Sequence, residues 1–160
     1  MFSAGFMRPK PLGFTRVLQT SNWTLLYPGQ YAVTLRGGGG GGGGGDPFYS
    51  LVGEAGASGG MAVGILTLAT NMPLTIGAGG AGGVASGDTR ADGGAGAPST
   101  ILSNGIAVTA AGGQGGRGGA RSYHGDPFTQ APAGNGGWGG SPGNPGNPGG
   151  PGSITVKLIG

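Results

Sequence analysis

Apolar and polar side chains alternate only in short blocks of this chain. The clearest are Tyr31-Ala32-Val33-Thr34-Leu35, Met61–Ala69, Leu74–Ile76, Thr100–Leu102, Ile106–Ala110 and Ile154–Ile159. Their β-branched and aromatic content, bounded by Gly, Pro, Asn and Ser, predicts strands. Strand side chains point alternately to opposite faces, so Tyr31, Val33 and Leu35 are expected to share one face. Upstream, Phe14–Leu18 and Trp23–Tyr27 read as two further strands, with Trp23 assigned to the core. Pro28-Gly29 has turn chemistry, so residues 14–36 read as a β-hairpin returning through Tyr31–Leu35. Residues 1–13, apolar-aromatic with two prolines, fit either an arm that docks on a partner or a frayed terminus.

Between the blocks the period changes from two to three. Nine consecutive glycines, Gly37 to Gly45, come first. Gly53, Gly56 and Gly59 follow at spacings of three, then Gly77, Gly80 and Gly83, then Gly112, Gly115 and Gly118. The longest series runs unbroken from Gly134 to Gly152. Three residues per turn is the repeat of the polyproline II helix, which makes no internal hydrogen bonds. Its amides and carbonyls point outward, and Gly on one or two faces lets a neighbouring helix come close enough to exchange them. The expected fold is therefore all-β/irregular: a bundle of polyglycine/polyproline II-type helices with short β-strands and essentially no α-helix. Residues 37–160 would form this bundle, closed by the C-terminal strand. A collagen triple helix accounts only for the last Gly-X-Y run, since the rest of the chain breaks the strict period.

Composition supports order over floppiness. Gly and Pro supply 45 and 12 of the 160 residues, a level at which disorder is the ordinary expectation. Only 8% of residues are charged, however, whereas disordered chains rely on charge, and the apolar residues are gathered into blocks. The net charge of +3 comes from dispersed basic residues, which argues against a nucleic-acid partner. No Cys is present, which removes disulfides and thiolate metal sites. No apolar run reaches the roughly 18 residues of a membrane span, and Met1–Lys10 lacks the apolar core of a signal peptide.

Motifs for chemistry are weak. Gly77–Gly82 fits the dinucleotide pattern G-x-G-x-x-G, but so many glycines produce such matches by chance, and no helix is foreseen after it. Gly56–Gly60 fits the nucleophile elbow G-x-S-x-G, with His124 the one His to serve as base, but without clear strand-turn-helix flanks. No metal, cofactor or catalytic residue is expected, and the chain reads as a non-enzyme. Gly-Asp-Pro-Phe occurs twice, at 45–48 and 125–128. Asp-Pro favours a turn that presents Phe at its tip, while packing of both rings inside the bundle is the plainer reading. Arg121–Gln130 interrupts two Gly runs and carries Arg, Tyr, His and Phe, residue types suited to sugars or exposed protein loops. Trp138 lies within the longest triplet series, where a large side chain has to point outward. Candidate receptor contacts are Asp46, Phe48, Tyr49, Arg90, Arg121, Tyr123, His124, Phe128 and Trp138.

Taken in order, these blocks resemble the glycine-rich tip domains of bacteriophage and prophage tail fibres. The residues that carry the resemblance are Asn22-Trp23-Thr24 with Pro28-Gly29, Tyr31–Arg36 leading into Gly37–Gly45, Leu74–Gly83, Thr109–Gly116, and the Gly/Pro run ending in Gly152–Ile159. The resemblance implies a polyglycine bundle at the far end of a fibre, made in the host bacterial cytoplasm and carried on the virion. Loops around 46–50, 86–92 and 121–130 would then bind a bacterial outer-surface protein or polysaccharide. The other partners implied are tail-fibre or baseplate subunits, with a homotrimer compatible. A start at Met1 favours a separate tip subunit or an excised C-terminal piece. The alternative is a structural cap or spacer without receptor contact. An ice-binding bundle would need Thr on one triplet phase, which is not seen.

Overall fold

In the computed structural model, residues 13–18, 27–46, 50–69, 72–86, 89–118 and 135–160 are described. Nine strands occur among them: β1 (Thr15–Leu18), β2 (Gly29–Arg36), β3 (Met61–Leu68), β4 (Leu74–Thr75), β5 (Ala85–Ser86), β6 (Thr89–Arg90), β7 (Ser99–Ser103), β8 (Ile106–Ala110) and β9 (Ser153–Leu158). No helix is present among the described residues. One antiparallel sheet has the order β1-β9-β2-β3, a second β4-β7-β8, and β5-β6 form a separate hairpin.

The two larger sheets form a base. Alternation on β2 buries Tyr31, Val33 and Leu35, as expected, and β9 adds Ile154, Val156 and Leu158. Leu68, Leu74, Ile101 and Ala110 complete the core between the sheets. Ser103 donates from Oγ to the carbonyl of Thr67 at 2.6 Å, tying one sheet to the other. Asn104 and Gly105, with φ of 49° and 79°, make the two-residue turn from β7 to β8, the left-handed pair that a tight hairpin requires. β2 is flanked by β3 and β9, and β1 pairs with β9. Trp23 and its neighbours through Leu26 lie outside the described residues, as do residues 1–12.

Above the base the chain becomes a bundle of glycine threads. Gly37–Gly45 continues from β2 as the central thread, every residue of it buried. Its nine N–H groups donate in rotation to three neighbours, at 2.8–3.0 Å. Gly37, Gly40 and Gly43 donate to thread 53–60, Gly38, Gly41 and Gly44 to thread 91–97, and Gly39, Gly42 and Gly45 to thread 144–150. The carbonyls of Gly38–Gly43 accept in the same rotation, at 2.6–2.8 Å, from Gly80 and Gly83, Gly113 and Gly116, and Gly137 and Gly140. The order of partners makes the first three threads antiparallel to the centre and the last three, 77–84, 111–117 and 135–141, parallel to it.

The surrounding threads also bond to each other and close a ring in the order 53–60, 111–117, 91–97, 77–84, 144–152, 135–141 and back to 53–60. Direction alternates around the ring. A central thread of nine residues at a rise of about 3.1 Å spans roughly 28 Å. Its buried amides would each cost about 1–3 kcal/mol if left without partners, so the hexagonal closure is what makes a core without side chains tenable.

The expected period of three is present, but the longest series is not one helix. Gly143, with φ of 77°, follows Pro142 in a turn closed by Asn144 N–H donating to the Ser141 carbonyl at 2.9 Å. Pro at the second and Gly at the third turn position is type II turn chemistry. The run folds there into two antiparallel threads.

Candidate functional site

The bundle has two unlike ends. β2, β3, β4, β7, β8 and β9 join the threads at the base. At the other end, level with Gly43–Gly45, thread 37–45 leads to 53–60, 77–84 to 91–97 and 135–141 to 144–152. Gly44 N–H reaches the Ala91 carbonyl and Gly45 N–H that of Asn144. The far end therefore gathers the Asp46–Leu51 turn, the β5–β6 hairpin, the Ser141–Asn144 turn and the exit of thread 111–117 at Gly118.

Each element there is held by short polar bonds. Asp46 and Leu51 exchange N–H···O bonds of 2.8 and 3.2 Å, with Ser50 at a φ of 51° between them. Ala85 pairs with Arg90 and Ser86 with Thr89. Asn144 Nδ2 donates to Ser141 Oγ at 2.9 Å and to the Pro142 carbonyl at 3.3 Å. Gly118 N–H donates to Asp92 Oδ1 at 2.8 Å. Among the described residues, no three of His, Cys, Asp and Glu come together as metal ligands would.

The structure spreads the expected contact residues unevenly. Asp46 is only 2% exposed and closes the end of the central thread, a position inside the bundle and not on its surface. Arg90 lies in the β5–β6 hairpin at the far end. Trp138 occupies the outward position of thread 135–141, half-buried, its carbonyl accepting from Asn147 N–H at 2.7 Å. Phe48, Tyr49, Arg121, Tyr123, His124 and Phe128 lie outside the described residues. The G-x-G-x-x-G stretch is a parallel thread of the ring, and the G-x-S-x-G stretch an antiparallel one with Ser58 exposed. Gly80 N–H in the first, and Gly56, Ala57 and Gly60 N–H in the second, donate to neighbouring threads, and neither stretch leads into a helix as a phosphate cradle or nucleophile elbow does.

Sequence reading passed over Ser99 and over the role of the Tyr31 hydroxyl. Ser99, fully buried, receives Gly77 N–H on its Oγ at 2.9 Å and donates to the Arg36 carbonyl at 2.7 Å. Its hydroxyl replaces the direct thread-to-thread bond where ring and base meet. Tyr31 Oη donates to the Tyr27 carbonyl at 2.7 Å, and burial raises its pKa. A signal for Ser99 existed: alternation along β7 puts it on the same face as the buried Ile101.

A glycine-cored hexagonal bundle on a small β-sandwich defines a scaffold class in which backbone bonds take the place of a side-chain core. The chain belongs to the glycine-rich domain family, whose model matches residues 15–158. No curated protein matches it.

Proposed function

We propose that this chain is the receptor-binding tip of a bacteriophage or prophage tail fibre. In this reading a rigid glycine scaffold displays loops to a protein or polysaccharide on a bacterial outer surface. The observation that carries it is the polarity of the bundle. Sheets occupy one end, while three of the connections from thread to thread lie at the other. Rigid scaffolds carrying loops at one end are a common arrangement for recognition. The order of sequence blocks shared with tail-fibre tips supports the same reading. Arg121, Tyr123, His124 and Phe128, in the longest insertion between two threads, would supply the contacts, together with Arg90 and Trp138. Affinity would come from several copies per particle, which raises effective concentration.

The Asp46–Leu51 bridge and the tight Ser141–Asn144 turn, with Asp46 buried, favour the second reading, a cap or spacer that closes a fibre without receptor contact. Adsorption of the purified chain, or of particles carrying it, to cells of the host bacterium separates the two. Under the first reading, Y123A/H124A/F128A abolishes adsorption while amide-exchange protection of the threads is kept. Unchanged adsorption would establish the cap.

A further inference from the structure

Among the described residues, nothing covers the outer face of the four-stranded base sheet along β3. Register places Gln30, Ala32, Thr34 and Arg36 of β2 beside Thr67, Ile65, Val63 and Met61 of β3. Beyond β2, β9 presents Ser153, Thr155 and Lys157 on the same face. Met61, Val63 and Ile65 are 61, 67 and 66% exposed. β3 is also an edge strand, paired only with β2 among the described residues. Its pairing runs without a bulge over eight residues, and MAVGILTL contains no charge and no Pro. Native edges are normally guarded by Lys, Pro, bulges or covering segments; this one has none of the first three.

Charge decides what covers it. The base strands carry Arg16, Arg36 and Lys157 and no Asp or Glu. The acids among the described residues, Asp46, Glu54 and Asp92, all lie in the threads or at their far end. Stacking a second copy face to face would bring Arg36 and Lys157 against their own kind.

We propose that the β3 edge is a docking site for an extended, acidic-apolar segment of a different protein, added to the sheet as a further strand. Backbone bonds along β3 supply affinity, and alternate side chains of the segment lie beside Val63 and Ile65. A carboxylate opposite Met61 sits two strand spacings, about 10 Å, from Arg36, within reach of two extended side chains. The site is at the end away from the loops and does not depend on what those loops bind.

The test uses the full chain and two labelled ten-residue peptides in fluorescence anisotropy. Both alternate Val or Ile with Thr; one carries two Glu at the end placed opposite Met61, the other two Lys. The acidic peptide is expected to bind at least tenfold more tightly in low salt, with the gap closing in high salt. R36E reverses the preference. V63K and I65K, at exposed positions that the fold tolerates, each abolish binding of both peptides. Equal binding of the two peptides, no binding of either, or binding unaffected by V63K overturns the proposal. So does a concentration-dependent dimer in sedimentation that V63K dissolves, since the edge would then belong to the chain's own copy.

Discussion

A single methyl group distinguishes the positions of this bundle. A Cβ on Gly41 would fall on the Ala81 carbonyl, and one on Gly80 on that of Gly94. Ala81, next after Gly80 in the chain, points outward and is exposed. Gly41→Ala is expected to cost about 3 kcal/mol or more, because the obstructing atoms are backbone on both sides. Ala81→Glu should stay within about 0.5 kcal/mol. Thermal denaturation of the two variants checks both. Ser99→Ala strands the Gly77 N–H and the Arg36 carbonyl, a loss of about 2–6 kcal/mol at about 1–3 per group, read by urea titration. Tyr31 sets an alkaline limit. Its pKa is raised by burial, so above about pH 10 the unfolded chain loses a proton that the folded chain keeps. Stability is full below that pH and falls as pH rises through the raised value. Tyr31→Phe should flatten that limb in denaturation followed from pH 9 to 12.

At the scale of the threads, glycine spacing encodes place and direction. The centre is Gly at every position. The parallel threads read Gly-Gly-x, as in Gly112-Gly113-Gln114-Gly115-Gly116-Arg117, because two of their three faces meet ring neighbours. The antiparallel threads read Gly-x-x, as in Gly53-Glu54-Ala55-Gly56-Ala57-Ser58, because only the face toward the centre is crowded. Pro145, Pro148 and Pro151 fall where thread 144–152 turns its backbone to solvent, while Asn147 N–H is bonded to Trp138. Asn147→Pro is therefore expected to cost about 1–3 kcal/mol and Pro148→Ala less than about 1, measured by the same urea titration. Strand positions and the period of three were legible in the sequence, since both follow from which faces are buried. Strand order was not: the pairing of β1 with β9 depends on where the threads deliver distant segments. The break at Gly143 was hidden because a turn glycine happened to fall in phase with the thread glycines, although Pro142-Gly143-Asn144 carries turn chemistry. Of the candidate contacts, only Asp46, Arg90 and Trp138 fall among the described residues, and Asp46 misled because an acid beside Pro resembles a loop tip.

For the whole molecule, order comes from closure. No pair of threads would persist alone, since each bond is worth only about 0.5–1.5 kcal/mol net, yet the centre satisfies its amides in all six directions at once. The two ends also differ in charge, with cations alone on the base strands and the described acids beyond them. The central thread has one more property. A run of identical residues with screw symmetry is unchanged by advancing one step, so Gly37–Gly45 carries no information about its own alignment. β2 must set it, through Leu35 and Tyr31. An extra glycine placed in that tract should slide through and be taken up in the turn after Asp46. One placed between Gly112 and Gly115 would bring a side chain against a neighbour. Amide exchange should thus find the first insertion protected almost as the parent is and the second broadly exposed: the most monotonous part of the chain is the part most forgiving of a replication slip.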